Sequence, residues 1–580
     1  MKQGLFVFLW VLILPVFAFA QNENAGKGNR VVMVVGKPMN SEDSLMVKQL
    51  FFSALREKEK EEFPQATDFF NRVLQIDPAN DASLYELANM KKLQSDYTDA
   101  QDLLEKAVTV KPDNEWYWVA LADCYEKNND ISKLENVFNE LLRINPDNPD
   151  YYFDDANVYF QEKKYDEALA VYKRLEKVTG LTDEILAKRE KIYLKQGKVD
   201  QAAADLESMI ATNPQEIRYY LLLGEVYNSN GFADKALKLL QTAEKVNPNN
   251  GQVHLALADI YRDKKNYESS FDEIKAAFAL TDVDIDQKIK IVLGYIPKFP
   301  DPNAKASALE LSRILTETHP DDARAYTLYG DMLLQNANYK EAKASYKKSI
   351  ELNGKVYEVY EQLIRLELGE NELDEALKDG QNALTLFPNQ AWLNYLVGVT
   401  LQQKKDYKKA LGYLNNAIAM GSEDKDLLSQ CYSSLGDCYH STNELQKSDE
   451  AYDKALSFNP DNTFTLNNYA YYLSVRSANL DKAAEMSKHS NELQPNTASF
   501  EDTYAWILFK QKKYAEARVW MEKALMHDKD HSAVQTEHYG DIMFYLGDTA
   551  AAVTNWKKAK DYGGDSPVLE RKINEKKYIE

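Results

Sequence analysis

The sequence predicts an all-α fold, a solenoid of antiparallel helix pairs, and three observations point to it. First, prolines form a ladder: Pro78, Pro112 and Pro146 are spaced by 34, Pro146 to Pro214 spans 68 with Gly180 midway, and Pro248 follows after 34 more. Pro320, Pro388, Pro460 and Pro495 continue it, and the intervals Pro248–Pro320 and Pro388–Pro460 each carry four extra residues. Second, small residues recur at fixed places: Ala88, Ala122, Ala156, Gly224, Ala258, Gly330, Gly398 and Ala470 ten after a closing position, and Ala or Ser (Ala66, Ala100, Ala168, Ser270, Ala342, Ser448) twelve before one. Two helices approach to about 8–10 Å only where small side chains meet at the crossing. Third, the separators carry turn chemistry. Steps such as Asp96-Tyr97, Lys164-Tyr165 and Asp406-Tyr407 mark the bend within a pair. Asn145-Pro146 and Asn459-Pro460 end the second helix, because a residue before proline is pushed out of the helical region.

Taken in order, residues 1–20 read as a secretory signal peptide: Lys2, an apolar run from Leu5 to Phe17, then Ala18-Phe19-Ala20 before Gln21. The run is shorter than the roughly 18–20 residues of a spanning helix, although retention as an anchor is an alternative reading. No cysteine lies near the cut to accept a lipid. Residues 21–44 read as a flexible leader, with one apolar patch at Val31–Val35 that is either an edge strand or unstructured. Repeats 1–7 fill 45–283 and repeats 8–15 fill 284–562, with the proline-rich Pro297-Lys-Phe-Pro300-Asp-Pro302 loop inside the eighth. Residues 563–580 read as a charged helix capping the last pair's apolar face. Glu190, Val292 and Ile364 replace the small residue and Leu134 replaces the Ala, so those pairs are expected to splay.

The small residue, the Tyr three further on (Tyr125, Tyr159, Tyr227, Tyr261), the Ala and the closing Pro at a period of 34 resemble the tetratricopeptide repeat. The segments KKYDEALAVYKRLEKV and QKKYAEARVWMEKAL are similar to that family's second-helix pattern, and the resemblance covers about residues 45–562. It implies a right-handed solenoid whose first helices line a groove that binds proteins. The stretches LNNYAYYLSVRSANLDKAAEMS and DTYAWILFKQKKYAEA are similar to repeat proteins of Gram-negative envelopes.

Chemistry is not where this sequence points. The net charge is −21, from 70 basic and 91 acidic residues, which argues against nucleic acid as a partner. No H-E-x-x-H, G-x-G-x-x-G, P-loop or G-x-S-x-G occurs, so neither enzyme activity nor a cofactor is expected. His527, His531 and His538 form the best metal grouping, but the first two fall at a turn between repeats where polar residues are routine, and no metal site is assigned. Cys124 and Cys438 occupy matching sites in Leu-Ala-Asp-Cys-Tyr and Leu-Gly-Asp-Cys-Tyr and read as small buried thiols, not as a disulfide framework.

The resemblance implies groove positions about four, seven, eleven and fourteen residues after a closing position. Carried onto this sequence, these give Trp116 and Trp392 in the fourth column, Tyr85, Val119, Phe153 and Tyr395 in the seventh, and Asn157, Asp123, Glu225, Asp259, Asp331 and Asp437 in the eleventh. The eleventh column has two readings, ligand contact or stabilisation of the stack. Family members that clamp a C-terminal carboxylate use Lys in the seventh column; this chain has none there, so that mode is not expected. An aromatic groove edged by acids suits extended or helical protein segments with apolar anchors and basic flanks. The expected function is a non-catalytic scaffold in the cell envelope, periplasmic or associated with an outer-membrane secretion or surface-assembly complex. The mature chain is expected to have no transmembrane span. The competing expectation is a glycan- or peptidoglycan-binding protein that uses the same aromatics.

Overall fold

A computed structural model of the protein describes residues 39–580; the expected signal segment, the Val31–Val35 patch and most of the expected leader lie outside the described residues. Among the described residues the chain is all-helical, with fifteen consecutive helix pairs and one short final helix. The first seven pairs are α1 (Ser41–Glu59) with α2 (Phe63–Ile76), α3 (Asp81–Leu93) with α4 (Tyr97–Val110), α5 (Glu115–Lys127) with α6 (Ile131–Ile144), α7 (Pro149–Gln161) with α8 (Tyr165–Thr179), α9 (Asp183–Lys195) with α10 (Val199–Thr212), α11 (Ile217–Ser229) with α12 (Ala233–Val246), and α13 (Gly251–Asp263) with α14 (Tyr267–Phe278). The next four are α15 (Ile285–Leu293) with α16 (Pro302–Thr318), α17 (Ala323–Gln335) with α18 (Tyr339–Leu352), α19 (Tyr357–Gly369) with α20 (Leu373–Leu386), and α21 (Ala391–Gln403) with α22 (Tyr407–Ala419). The last four are α23 (Lys425–Ser441) with α24 (Leu445–Phe458), α25 (Thr463–Val475) with α26 (Leu480–Leu493), α27 (Ala498–Lys510) with α28 (Tyr514–His527), and α29 (Ala533–Tyr545) with α30 (Thr549–Asp561); α31 (Leu569–Glu575) follows. The fold is an all-α solenoid of helix pairs. It divides into two compact units at Leu239/Leu240, within α12, and the proline-rich loop lies inside the second unit.

Local chemistry accounts for the helix ends. Asp96, Lys164, Asn338, Asp406 and Lys513 are the N-caps of α4, α8, α18, α22 and α28, and the residue before each sits at φ 59–66°. At the first of these, Asp96 N–H reaches back to Lys91 O (3.0 Å) and Ser95 N–H to Lys92 O (2.9 Å), closing the preceding helix in a left-handed turn. Asp77 and Asn145, each before a proline, leave the helical region as expected, at φ −126° and −133°. The chain enters α1 earlier than the leader's expected end at residue 44. Asn40 Oδ1 accepts from Asp43 N–H (2.7 Å), and Glu42 and Asp43 face the helix's positive end.

The small-residue columns are buried, and the gaps in them matter as expected. Pairs α5–α6, α9–α10, α15–α16 and α19–α20, which carry Leu134, Glu190, Val292 and Ile364, pack less extensively within the pair than α17–α18 or α23–α24. The α15–α16 pair is the most altered: a nine-residue α15 is followed by a 3-10 turn at Ile296–Lys298. There the buried Lys288 donates to Phe278 O (3.1 Å) and Leu280 O, closing α14, and to His319 Nε2 (3.0 Å); burial pushes its ammonium down to about 8. The final helix is shorter than the sequence suggests. Leu569 packs under Trp556 and Ala559 as a cap should, but Lys576 turns left-handed (φ 51°) and the last residues fold back as a short non-helical strap.

Candidate protein-docking face

Recurring hydrogen bonds within and between pairs engage one set of polar and aromatic groups, and the groove-side residues outside that set define the candidate site. Six residues after a closing proline, a ring donates to that proline's carbonyl: Trp118 Nε1 to Pro112 O (2.7 Å), Tyr152 Oη to Pro146 O (2.9 Å), Tyr220 Oη to Pro214 O (3.1 Å) and His254 Nε2 to Pro248 O (3.0 Å). The conspicuous Tyr column reaches back to an acid on the preceding second helix, as in Tyr125 Oη to Glu105 and Tyr227 Oη to Glu207 (both 2.9 Å). Tyr117 and Tyr219 donate to Asp81 and Asp183 at the start of the previous first helix (2.9 and 2.8 Å). A set of tyrosines in this chain thus fastens successive pairs to one another.

The three cysteines are free and buried, and burial pushes Cys124 up to about 11 and both Cys431 and Cys438 up to about 12, away from thiolate reactivity. The three candidate histidines diverge. His527 Nδ1 bonds Glu501 (2.7 Å), His538 Nδ1 bonds Asp502 (2.9 Å), and His531 stacks on Tyr562 at 5.3 Å. A different trio, Glu244, His254 and Glu273, brings its ligand atoms within 4.8 Å of one another. His254 has both ring nitrogens engaged, however, one on Pro248 O and the other on Glu273 (2.7 Å), so the imidazole serves as a hydrogen-bonded link between those two groups.

First helices of successive pairs touch directly, α3 with α5 in the first unit and each neighbour from α19 to α29 in the second, so each unit presents a first-helix face. In the first unit Tyr85, Val119 and Phe153 are half-buried on that side; Tyr85 lies 5.0 Å from Tyr117 and Phe153 5.9 Å from Tyr172. Trp116 is 69% exposed beside the Asn114 cap, with its ring unpacked. Asp123 takes Lys92 at 2.6 Å, while Asn157 and Glu225 face solvent. In the second unit Asp259 is exposed and paired with Arg262 (2.8 Å). Trp392 is half-buried, 5.6 Å edge-on to Tyr395, with the Arg365 guanidinium 4.4 Å over its ring. Burial pushes the Tyr395 hydroxyl up to about 12.

Asp331 and Asp437 take the other reading of the eleventh column. Asp331 accepts from Tyr346 Oη at 2.8 Å, and Asp437 accepts from Tyr452 Oη and from Gln402 Nε2 (3.1 Å). Asp541, beyond the residues singled out from sequence, accepts from Trp556 Nε1 at 2.8 Å. Each follows a glycine, and a Cβ on Gly330, Gly436 or Gly540 would lie 2.6, 2.8 or 2.5 Å from the ring that its neighbouring Asp holds. Gly-Asp followed fifteen residues later by a ring donor is thus a staple within the pair. Burial raises the carboxyls of all three Asp against these hydrogen bonds.

Sequence reasoning missed the densest part of the first-helix face, on the last four pairs. His440 stacks on Tyr472 at 3.7 Å and Trp506 on His538 at 3.9 Å, and Phe509, Tyr514, Tyr545 and Tyr578 form one ring cluster. Lys572, buried on α31, bridges Glu537 (2.8 Å) and Asp541 (2.7 Å). The available signal was a local period of 35, which aligns Tyr471 with Trp506 and Asp541, and Val475 with Lys510 and Tyr545.

Profiles of the tetratricopeptide repeat match residues 93–152, 193–260, 135–179, 323–356 and 389–461. A TPR repeat-containing protein of Pseudomonas aeruginosa is 26% identical over 170 residues, 29% of this chain and 28% of its own length. Anaphase-promoting complex subunit 3 of Schizosaccharomyces pombe is 30% identical over 115 residues, 20% of this chain and 17% of its own. The chain therefore spans less than a third of the length of the curated relatives it matches. Among solved structures, the APC/C hetero-tetramer Cut9–Hcn1 aligns over 86% of this chain and 97% of its own at 12% identity and TM-score 0.39. A tetratricopeptide repeat protein from Parabacteroides merdae aligns over 44% and 98% at 17% identity and TM-score 0.35. The chain carries tetratricopeptide repeats, units whose proteins generally mediate protein–protein interactions.

Proposed function

We propose that this protein is a non-catalytic scaffold of the bacterial cell envelope, holding protein segments on its first-helix faces within a secretion or surface-assembly complex. One observation carries the docking part: Trp116 is 69% exposed on α5, one helical turn before the half-buried Val119, and the neighbouring first helix α3 carries the half-buried Tyr85. An unpacked Trp next to apolar and acidic side chains is the composition of a protein-binding hot spot. The export part is supported by the apolar run from Leu5 to Phe17 with its Ala-x-Ala end. Among the described residues no helix is long and apolar enough to cross a membrane.

Crosslinking in the native cell followed by mass spectrometry tests the reading. Envelope proteins should crosslink to the chain, and Trp116→Ala should reduce their yield without changing the melting temperature. Crosslinks confined to cytoplasmic proteins would sink the envelope assignment. Retention on purified cell-wall material at high salt, with no protein crosslinks, would favour the glycan reading instead.

A further inference from the structure

Beyond Lys576 the strap of residues 577–580 lies along the first helices of the last two pairs. The Tyr578 ring sits 5.7 Å from Phe509 and 5.2 Å from Tyr545, with Lys572 Nζ 5.3 Å over its face. Two residues on, Lys510 Nζ donates to Glu580 Oε1 at 2.8 Å. With the strap in place the Lys510 side chain is only 10% exposed and that of Glu580 is 79% exposed; Lys510 stands on α27 and over the Trp506 ring, so the cation belongs to the wall and the carboxylate to the strap. A recessed ammonium is costly without an anion, and a slot walled by two rings and capped by a cation selects a third ring. The strap does not fill the face: a cavity of about 340 Å³ stays open beside it, against Tyr471, Trp506 and His538.

We infer that this slot is a docking site for a partner segment that places an aromatic ring two residues before a carboxylate, and that the strap is its resident occupant. The cap's own anchors do not run through the strap: Leu569 packs with Trp556, and Lys572, besides lying over the Tyr578 ring, is held by Glu537 and Asp541. The open cavity gives a partner longer than the strap additional surface. The inference rests on the scaffold reading for the class of its ligand, and it assigns the last pairs an acid-bearing segment where the first-helix acids elsewhere suit basic ones.

The probe is a fluorescein-labelled Glu-Lys-Lys-Tyr-Ile-Glu peptide, residues 575–580, followed by anisotropy. A tethered segment competes at about millimolar effective concentration, so a variant ending at Glu575 should bind the peptide at least about tenfold more tightly than the full chain. Tyr578→Ala in the full chain, which leaves α31 whole, should open the slot in the same way. Lys510→Ala in either opened variant, or Tyr to Ala in the peptide, should abolish binding. Equal binding by full and opened chains, or equal binding of a scrambled peptide, overturns the proposal. So does concentration-dependent dimerisation of the full chain that the truncation removes, which would give the slot to a second copy's strap. The titration uses no cell partner, so its failure is distinguishable from failure of the crosslinking test.

Discussion

The first unit and the later pairs of the second fasten their helices with different chemistry, and the difference decides what their groove-side acids can do. In the first unit the links run outward from rings: Trp118, Tyr152 and Tyr220 to proline carbonyls, Tyr125 and Tyr227 to acids of the preceding pair. Its eleventh-column residues stay out of that network, Asn157 and Glu225 exposed and Asp123 held only by Lys92. In three of the later pairs the same column turns inward, because Asp331, Asp437 and Asp541 each face a ring donor fifteen residues on. Ala156-Asn157 with Tyr172 shows that the ring alone is insufficient: without the glycine and the carboxylate, the side chain stays in solvent. One sequence column therefore has two fates, set by what stands beside it and one helix later.

The largest expected effect breaks the glycine half of the staple. Gly540→Ala puts a methyl 2.5 Å from the Trp556 ring and 3.1 Å from Ala552 O, which can move only with the pair itself. Overpacking of this kind should cost about 3 kcal/mol, read as a lower melting temperature in calorimetry. Ala156→Gly, in the first unit where no staple forms, should cost about 1–2 kcal/mol, from helix propensity and the loss of one buried methyl.

The next effect has the opposite sign. Asp155 stands in a column that also holds Leu87, Leu121, Leu223 and Arg189; it is 1% exposed, neither oxygen has a hydrogen-bond partner, and burial pushes its carboxyl up to about 6. An acid raised above its unfolded value binds more protons in the folded state, so its folded form loses stability as pH rises from about 4 to 6. Asp155→Leu should therefore stabilise the protein by about 2 kcal/mol at pH 7 and by much less at pH 4. A gain independent of pH would place the effect in packing rather than in the buried charge.

The pairs were legible in the sequence because proline, the small-residue columns and the turn steps act within one repeat, where spacing and contact coincide. Even the loosened pairs could be foreseen, since Leu134, Glu190, Val292 and Ile364 sit where the crossing needs a small side chain. The site was less legible. Whether Asp437 meets a ligand or Tyr452 depends on a glycine, a carboxylate and a donor on two helices, a three-body condition that one column does not display. The strap was hidden for a different reason: Tyr578 and Glu580 find partners at Phe509, Tyr545 and Lys510, in pairs far back along the chain. A charged run read as helix through residue 580 gave no hint that Lys576 would end it.

Smaller still is the effect of a single ring link. Trp118→Phe keeps the packing of a buried ring and deletes only the 2.7 Å bond to Pro112 O, so it should cost about 1 kcal/mol. The smallest expected effect on stability sharpens the comparison on the docking side. Trp116, two residues earlier on the same helix, is 69% exposed, and Trp116→Ala should move stability by less than about 0.5 kcal/mol. Trp392→Ala differs, since that ring packs on Tyr395 and carries Arg365 over its face, and it should cost measurably more. If both variants lose crosslinked partners but only Trp392→Ala lowers the melting temperature, the first unit holds a binding surface separable from its fold. In the second unit, by contrast, the same aromatic column serves the stack first.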